Sequence, residues 1–297
     1  MIFTTLIDVE SLAALLRSMP ERGNPVLLDC RFTLADPGAG RRAYLTAHIP
    51  GARFADLNQD LSAPVSAESG RHPLPDPAAL TRFLAAAGIG ADTQVIVYDA
   101  ADGSMAARGW WLLRWLGHAR VAVLDGGFQA WTSAGGALES GAPADAAGAG
   151  APTTAAAAVH VRPEFLMTAD DVRRALADPR RLVLDARAPE RFAGTVEPLD
   201  AVAGHVPGAV NHPFSRNSAA DGRFLPAAEL RRRWQESLRG RDPADAILMC
   251  GSGVTACHNV LAMEAAGLPG AKLYAGSWSE WIRDPARPVA LGAAPPP

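Results

Sequence analysis

The sequence predicts an α/β protein built twice over, each half a parallel sheet with helices on both faces. Three observations carry that expectation. The chain has 297 residues, about twice a common domain length of roughly 150. It also repeats itself: Val26-Leu27-Leu28-Asp29-Cys30-Arg31 is matched by Leu182-Val183-Leu184-Asp185-Ala186-Arg187, and His48-Ile49-Pro50-Gly51-Ala52 by His205-Val206-Pro207-Gly208-Ala209. Gly126-Gly127-Phe128-Gln129-Ala130-Trp131 recurs as Gly276-Ser277-Trp278-Ser279-Glu280-Trp281, so three landmarks return in one order at offsets of 150 to 157 residues. Within each half, short apolar runs alternate with longer segments of helical spacing, the pattern of β-α units feeding a parallel sheet.

The expected strands are residues 26–29, 95–99 and 121–125, then 182–185 and 247–250. Each is apolar up to a closing polar residue rather than alternating, as strands buried on both faces must be. Helical spacing marks residues 77–87, 106–116, 168–177, 227–238 and 255–266. Trp110, Trp111 and Trp115 share one such segment and are assigned to the core. Residues 140–158 are rich in Ala, Gly and Pro, with hardly any charge or large apolar side chain, and cannot bury enough surface to hold themselves folded. The expected division is therefore a domain at 1–140, a linker at 141–160 and a second domain at 161–297.

Composition narrows the function. Hydrophobic residues make up 48% and charged residues 20% of the chain, which excludes disorder throughout. Lys and Arg number 28 against 31 Asp and Glu, a net charge of −3 with no basic run, so neither nucleic acid nor an anionic membrane surface is expected as partner. The N-terminus lacks a basic lead, and no apolar run approaches the roughly 20 residues of a membrane span. Three cysteines, Cys30, Cys250 and Cys257, make no disulfide framework in a chain of this size, and a reducing cytoplasm fits best. A small-molecule partner is expected.

The chemistry concentrates in Ile247-Leu248-Met249-Cys250-Gly251-Ser252-Gly253-Val254-Thr255, where an apolar strand stops at a Cys and glycines permit a tight turn into a helix. Open α/β sheets bind ligands at the carboxyl ends of their strands. There a turn can aim several backbone N–H groups and a helix N-terminus at one point, a cradle that stabilises an anion. In that setting Cys250 becomes a thiolate nucleophile rather than a buried packing residue. The equivalent turn of the first half places Asp99 where Cys250 stands, and a carboxylate does not attack sulfur. The second half is therefore expected to hold the chemistry, and the first to be structural or to help close the site. His48 and His205, like Arg31 and Arg187, are repeated in the half without the Cys and read as turn or strand-end residues. Cys257 and His258 lie beyond the turn in the helix and read as packing, whereas Trp278 and Trp281 are candidates for a pocket wall.

Over nearly its whole length the sequence resembles the two-domain rhodanese, or sulfurtransferase, family. The loop Cys250-Gly251-Ser252-Gly253-Val254-Thr255 is similar to that of the 3-mercaptopyruvate branch; the thiosulfate branch typically carries two basic residues after the Cys, where Gly251 and Ser252 stand here. The Asp-x-Arg after the first strand, the His-x-Pro-Gly-Ala turn and the Gly-Ser-Trp-Ser-Glu-Trp segment also match. The resemblance implies a double displacement in which Cys250 takes the outer sulfur of 3-mercaptopyruvate or thiosulfate and holds it as a persulfide. Cyanide, a small thiol or thioredoxin then accepts it, and no metal or organic cofactor is required. It implies that Ser252 and Asp56 relay a proton with Cys250. His72 would line the cleft, Arg191 would bind the donor's carboxylate, and Gly251, Gly253, Val254 and Thr255 would form the binding loop. The mercaptopyruvate branch often has a second Arg shortly after a Glu-Pro pair. Here Glu197-Pro198 is followed by Leu199, which leaves thiosulfate in play. A cysteine phosphatase would need an Arg closing the loop, and none lies between Cys250 and Cys257. A non-catalytic binding module would have little reason to keep the Cys and both loop hydroxyls.

Overall fold

The computed structural model describes residues 2–18, 25–142 and 160–293. Residues 143–159, most of the expected linker, lie outside the described residues. One unit comprises Met1–Ala63, Pro75–Arg162 and Ala220–Phe224, and the other Pro64–Leu74, Pro163–Ala219 and Leu225–Pro297.

In the first unit the strands are β1 (Leu6–Ile7), β2 (Val26–Asp29), β3 (Arg53–Phe54), β4 (Val95–Tyr98) and β5 (Val121–Leu124), in the order β1-β5-β4-β2-β3 with every pair parallel. The helices are α1 (Val9–Arg17), α2 (Ala39–Thr46), α3 (Pro77–Ala86), α4 (Ala106–Trp115) and α5 (Gly127–Ser133). Apart from the partly buried Val26, each apolar run is buried along its length because both faces of the sheet are covered. Leu27, Ile96, Tyr98, Ala122 and Leu124 join Leu12 of α1, Tyr44 of α2 and Trp131 of α5 in one cluster. On the opposite face α4 packs on β4 and β5, and its Trp110, Trp111 and Trp115 are buried as expected. Removing a side chain of this size from water contributes about 1.5–3 kcal/mol.

The second unit repeats the design with β6 (Leu166–Met167), β7 (Leu182–Asp185), β8 (Val210–Asn211), β9 (Ala246–Met249) and β10 (Lys272–Tyr274), ordered β6-β10-β9-β7-β8 and again parallel throughout. Its helices are α6 (Ala169–Ala175), α7 (Pro189–Ala193), α8 (Ala227–Leu238), α9 (Thr255–Ala265) and α10 (Ser277–Trp281). Val183, Ile247, Met249 and Tyr274 pack with residues of α6, α7 and α10 on one face. The other face is covered by α9, against which α8 packs. Among the described residues no helix is long and apolar enough to cross a membrane.

The repeated polar residues hold strand ends and turns. Arg31 clasps Asp29 through Nε and Nη2 and donates to the Ala47 carbonyl, and Arg187 does the same with Asp185 and Gly204. His48 stacks on Tyr44 and His205 on Phe192, each bonding the carbonyl of the residue it stacks on at 2.8 Å. One expectation is corrected here. Trp278 and Trp281 wall no pocket: both are fully buried in the core beneath the sheet. Their indole N–H groups donate to the carbonyls of Val202 and Pro288, which lets these large rings bury without an orphaned donor.

Candidate active site

Cys250 is the first residue past β9, the middle strand of its sheet, with β7 and β10 on either side. The chain leaves β7 for β8 on one side and returns through β9 to β10 on the other, so the thiol stands where the strand order reverses. The strand end is fastened to α10. The Cys250 N–H donates to Ser277 Oγ at 3.0 Å, and that hydroxyl donates to the Tyr274 carbonyl at 2.9 Å. The carbonyls of Cys250 and Gly251 accept the N–H groups of Trp278 and Ser279. Ser277 adopts a left-handed backbone with φ of 54°, unusual for a residue other than glycine. The equivalent Gly127 has φ of 56°.

The loop then turns at Gly253, whose φ is 78° and where a Cβ would stand 2.1 Å from the Ala275 carbonyl oxygen, so only glycine fits. The Gly253 N–H donates to Cys250 Sγ at 3.1 Å. Behind it α9 starts at Thr255, and the N–H groups of its first residues have no acceptor within the helix. Cys250, Gly251, Ser252, Gly253 and Val254 are buried and Thr255 is partly so.

The first unit contains an internal control for this turn. Asp99, the first residue past β4, is buried, and its carboxylate accepts the N–H groups of Ala101, Gly103, Met105 and Ala106 at 2.8–3.1 Å. Burial pushes its pKa up and the neighbouring Asp102 adds to this, while the N–H bonds oppose both. In both turns a glycine takes a left-handed backbone, Gly103 with φ of 75° and Gly253 with φ of 78°, and Met105 and Val254 stand just before helices α4 and α9. The turn is thus built to point amides at whatever anion its first side chain carries.

Two side chains expected from the sequence meet this loop. His72 belongs to the segment Pro64–Leu74 of the same unit, and its Nδ1 lies 2.8 Å from Ser252 Oγ, both residues being buried. Arg191 stands beside Gly251: a Cβ there would lie 3.5 Å from Arg191 Nη1 and 3.7 Å from Nη2. The guanidinium is anchored by Glu197, which accepts from Nε and Nη2, and by Asp200, which accepts from Nη2 at 3.1 Å. Burial alone would push the Glu197 carboxyl up. Bonds from Arg191 and from the Leu199 and Asp200 N–H groups outweigh it and hold the pKa below the ordinary value.

Asp56, the remaining candidate, belongs to the first unit. There its carboxylate accepts the N–H groups of Asn58 and Gln59 and its own N–H donates to Asp60, so it closes a turn. Cys257 donates to the Gly253 carbonyl one helical turn back, and His258 is buried edge-on to Phe214, as expected of packing residues.

Sequence reading passed over three participants. Arg71, next to His72, pairs with Asp200 and brings its Nη2 to 3.1 Å from the same Cβ position on Gly251. Asp200 pairs with both Arg71 and Arg191. Ser277 holds the Cys250 backbone. The only local sign of any of these was a Ser at the repeat position of Gly127. Leu199 is about half exposed.

Fold and loop define a class: a duplicated parallel α/β protein in which one copy of a strand-turn-helix carries a thiol and the other a carboxylate. Comparison with known proteins places the chain within it. The model of the rhodanese-like domain matches residues 12–134 and 168–284. The chain is 50% identical over 291 residues to a probable 3-mercaptopyruvate sulfurtransferase of Pseudomonas aeruginosa, covering 97% of this chain and 98% of that one. It is 42% identical over 284 residues to the putative thiosulfate sulfurtransferase SseB of Mycobacterium tuberculosis, covering 95% and 96%. The solved 3-mercaptopyruvate sulfurtransferase of Leishmania major superposes with a TM-score of 0.80 at 31% identity, covering 94% of this chain and 74% of that one. The chain belongs to the two-domain rhodanese, or sulfurtransferase, family, whose members transfer sulfur-containing groups.

Proposed function

We propose that the chain transfers sulfur from 3-mercaptopyruvate, with thiosulfate as the alternative donor, through a persulfide on Cys250 to cyanide, a small thiol or thioredoxin in a reducing cytoplasm. The observation that carries this reading is the loop amide donated to Cys250 Sγ, together with its counterpart around Asp99. In that comparison Asp99 Cγ stands in for Cys250 Sγ, and the carboxylate oxygens for the outer, negatively charged sulfur of a persulfide. The amides of Gly253, Val254 and Thr255 would then stabilise the intermediate as those of Gly103, Met105 and Ala106 hold the carboxylate.

The Cys250 thiolate attacks the sulfur of mercaptopyruvate, forming an S–S bond while the donor's C–S bond breaks. The electron pair of that bond passes to the departing carbon, giving the enolate of pyruvate. The enolate takes up the donor's thiol proton, and the persulfide is left as an anion. Ser252, hydrogen-bonded to His72, is the group of this unit suited to carry that proton. Arg191 holds the donor's carboxylate beside Gly251. In the second half-reaction cyanide or a thiolate attacks the outer sulfur, and the S–S electron pair returns to Cys250.

Single-turnover mass spectrometry with each donor offered separately tests the proposal. The expected result is one added sulfur on the peptide containing Cys250, lost on adding cyanide and absent in Cys250→Ser. Failure of both donors to add sulfur to Cys250 would overturn it. A larger single-turnover rate constant with thiosulfate than with mercaptopyruvate would assign the alternative donor.

A further inference from the structure

Two guanidinium groups converge on the outer face of the Cys250 loop. A Cβ placed on Gly251 would lie 3.1 Å from Arg71 Nη2 and 3.5 Å from Arg191 Nη1. Neither nitrogen takes part in the ion pairs that hold the two side chains. Arg71 is tied to Asp200 Oδ1 through Nη1, and Arg191 to Asp200 Oδ2 and Glu197 through Nη2 and Nε. Arg71 Nε is buried without a hydrogen-bond partner, and the Arg71 backbone is pinned by its N–H bond to Ser279 Oγ at 3.0 Å. One carboxylate, Asp200, thus bridges two cations and leaves one N–H₂ edge of each beside the reactive loop.

Two like charges at such separation repel, and the buried bridging carboxylate offsets that repulsion. Bridged guanidiniums whose outer edges face one point form a fork for a planar anion, each edge able to donate to one of its oxygens. We propose that Arg71, positioned by Asp200, is a donor-specificity residue: with Arg191 it completes a binding site for the carboxylate of a 2-oxo acid donor next to Cys250. The proposal rests on the reading of Cys250 as the nucleophile. It adds a residue that lies 120 positions before Arg191, its partner in the fork, in sequence.

The test compares alkylation of Cys250 by iodoacetate, which carries a carboxylate, and by its neutral analogue iodoacetamide, followed by mass spectrometry of the Cys250 peptide. The ratio of the two rate constants cancels any change in thiol reactivity or folding common to both reagents. In Arg71→Leu the ratio is expected to fall by about tenfold, as for the loss of one charge-assisted hydrogen bond. Arg71→Lys, which keeps the charge but not the fork, should fall about threefold. With mercaptopyruvate, KM in Arg71→Leu should rise by about tenfold while kcat changes less than about threefold. A ratio that stays within about twofold of the parent protein in Arg71→Leu would overturn the proposal. Because alkylation needs no sulfur donor, this readout stands even if the protein forms no persulfide, so the two readings fail separately.

Discussion

His72 Nδ1 and Ser252 Oγ lie 2.8 Å apart although 180 residues separate them in the chain. The bond joins a hydroxyl of the reactive loop to the one ring type that gains and loses protons near neutral pH. It makes His72 a hydrogen-bond partner of the reactive loop.

If the pair acts as one unit, its parts should not contribute additively. Ser252→Ala and His72→Phe should each lower kcat for sulfur transfer by roughly tenfold to a hundredfold with a smaller effect on KM. The double variant should be little worse than the more impaired single variant. Steady-state kinetics on all four proteins checks this, and losses that multiply would show two independent roles.

Asp99 satisfies four backbone N–H groups in the first unit. Asp99→Ala leaves the buried Gly103 and Ala106 N–H groups and the partly buried Ala101 and Met105 N–H groups without this acceptor and should destabilise the protein by about 3 kcal/mol in urea unfolding. Asp99→Asn keeps one oxygen but turns a donor toward other donors, and should fall between the two. Equal stability of Asp99→Ala and the parent would mean that water replaces the carboxylate at no cost.

Ser277 occupies a backbone conformation that its counterpart in the first unit gives to Gly127. The side chain must therefore contribute more than the backbone costs, and its two hydrogen bonds with Cys250 and Tyr274 are the means. Ser277→Ala loses both bonds and keeps the steric cost, so a loss of about 1–3 kcal/mol is expected. Ser277→Gly loses the same bonds but relieves the backbone, and should be the more stable of the two variants. The reverse order in urea unfolding would refute the argument.

His212 links pH to stability in the second unit. It is fully buried, stacked on Trp234 at 3.7 Å, and bonded to Ser237 and Asn217. Burial is the largest reason that its pKa falls from 6.5 to about 3; the Asn217 bond opposes the fall, while Arg216, Arg233 and His258 assist it. The unfolded chain therefore binds a proton at this site as pH drops below 6.5, while the folded protein does not until about 3. Stability is full above 6.5 and declines with acid through that window. Between neutral pH and about pH 4.5 this group should remove roughly 2–3 kcal/mol. In His212→Gln the difference between urea midpoints at the two pH values should shrink accordingly.

Much of the fold was legible because of one physical fact. A strand covered on both faces is apolar along its length: β4, β5 and β9 are four apolar or aromatic residues in a row, and β2 and β7 are three apolar residues closed by an Asp. The edge strands β1, β3, β6 and β8 have two residues each, too few to carry a period. β10 begins at the partly buried Lys272, which breaks the apolar run. The reactive loop was legible for a related reason: its thiol, its glycines and its helix start are consecutive residues, and local chemistry ties each to the next. Trp278 and Trp281 misled because an indole serves a core and a pocket wall equally well, and spacing does not distinguish them.

By itself, then, the sequence determined the duplicated α/β plan, the position of Cys250 at a strand end, and the replacement of that thiol by Asp99 in the other copy. Tertiary structure decided the contacts that distant side chains make with the loop and with one another. It brought His72 to Ser252 and Arg71 to the Arg191 edge of Gly251, and it set Asp200 between two guanidiniums. Hydrogen bonds and ion pairs of this kind depend on distance in space and orientation. Residues far apart in the chain carry no mark of each other until packing brings them together.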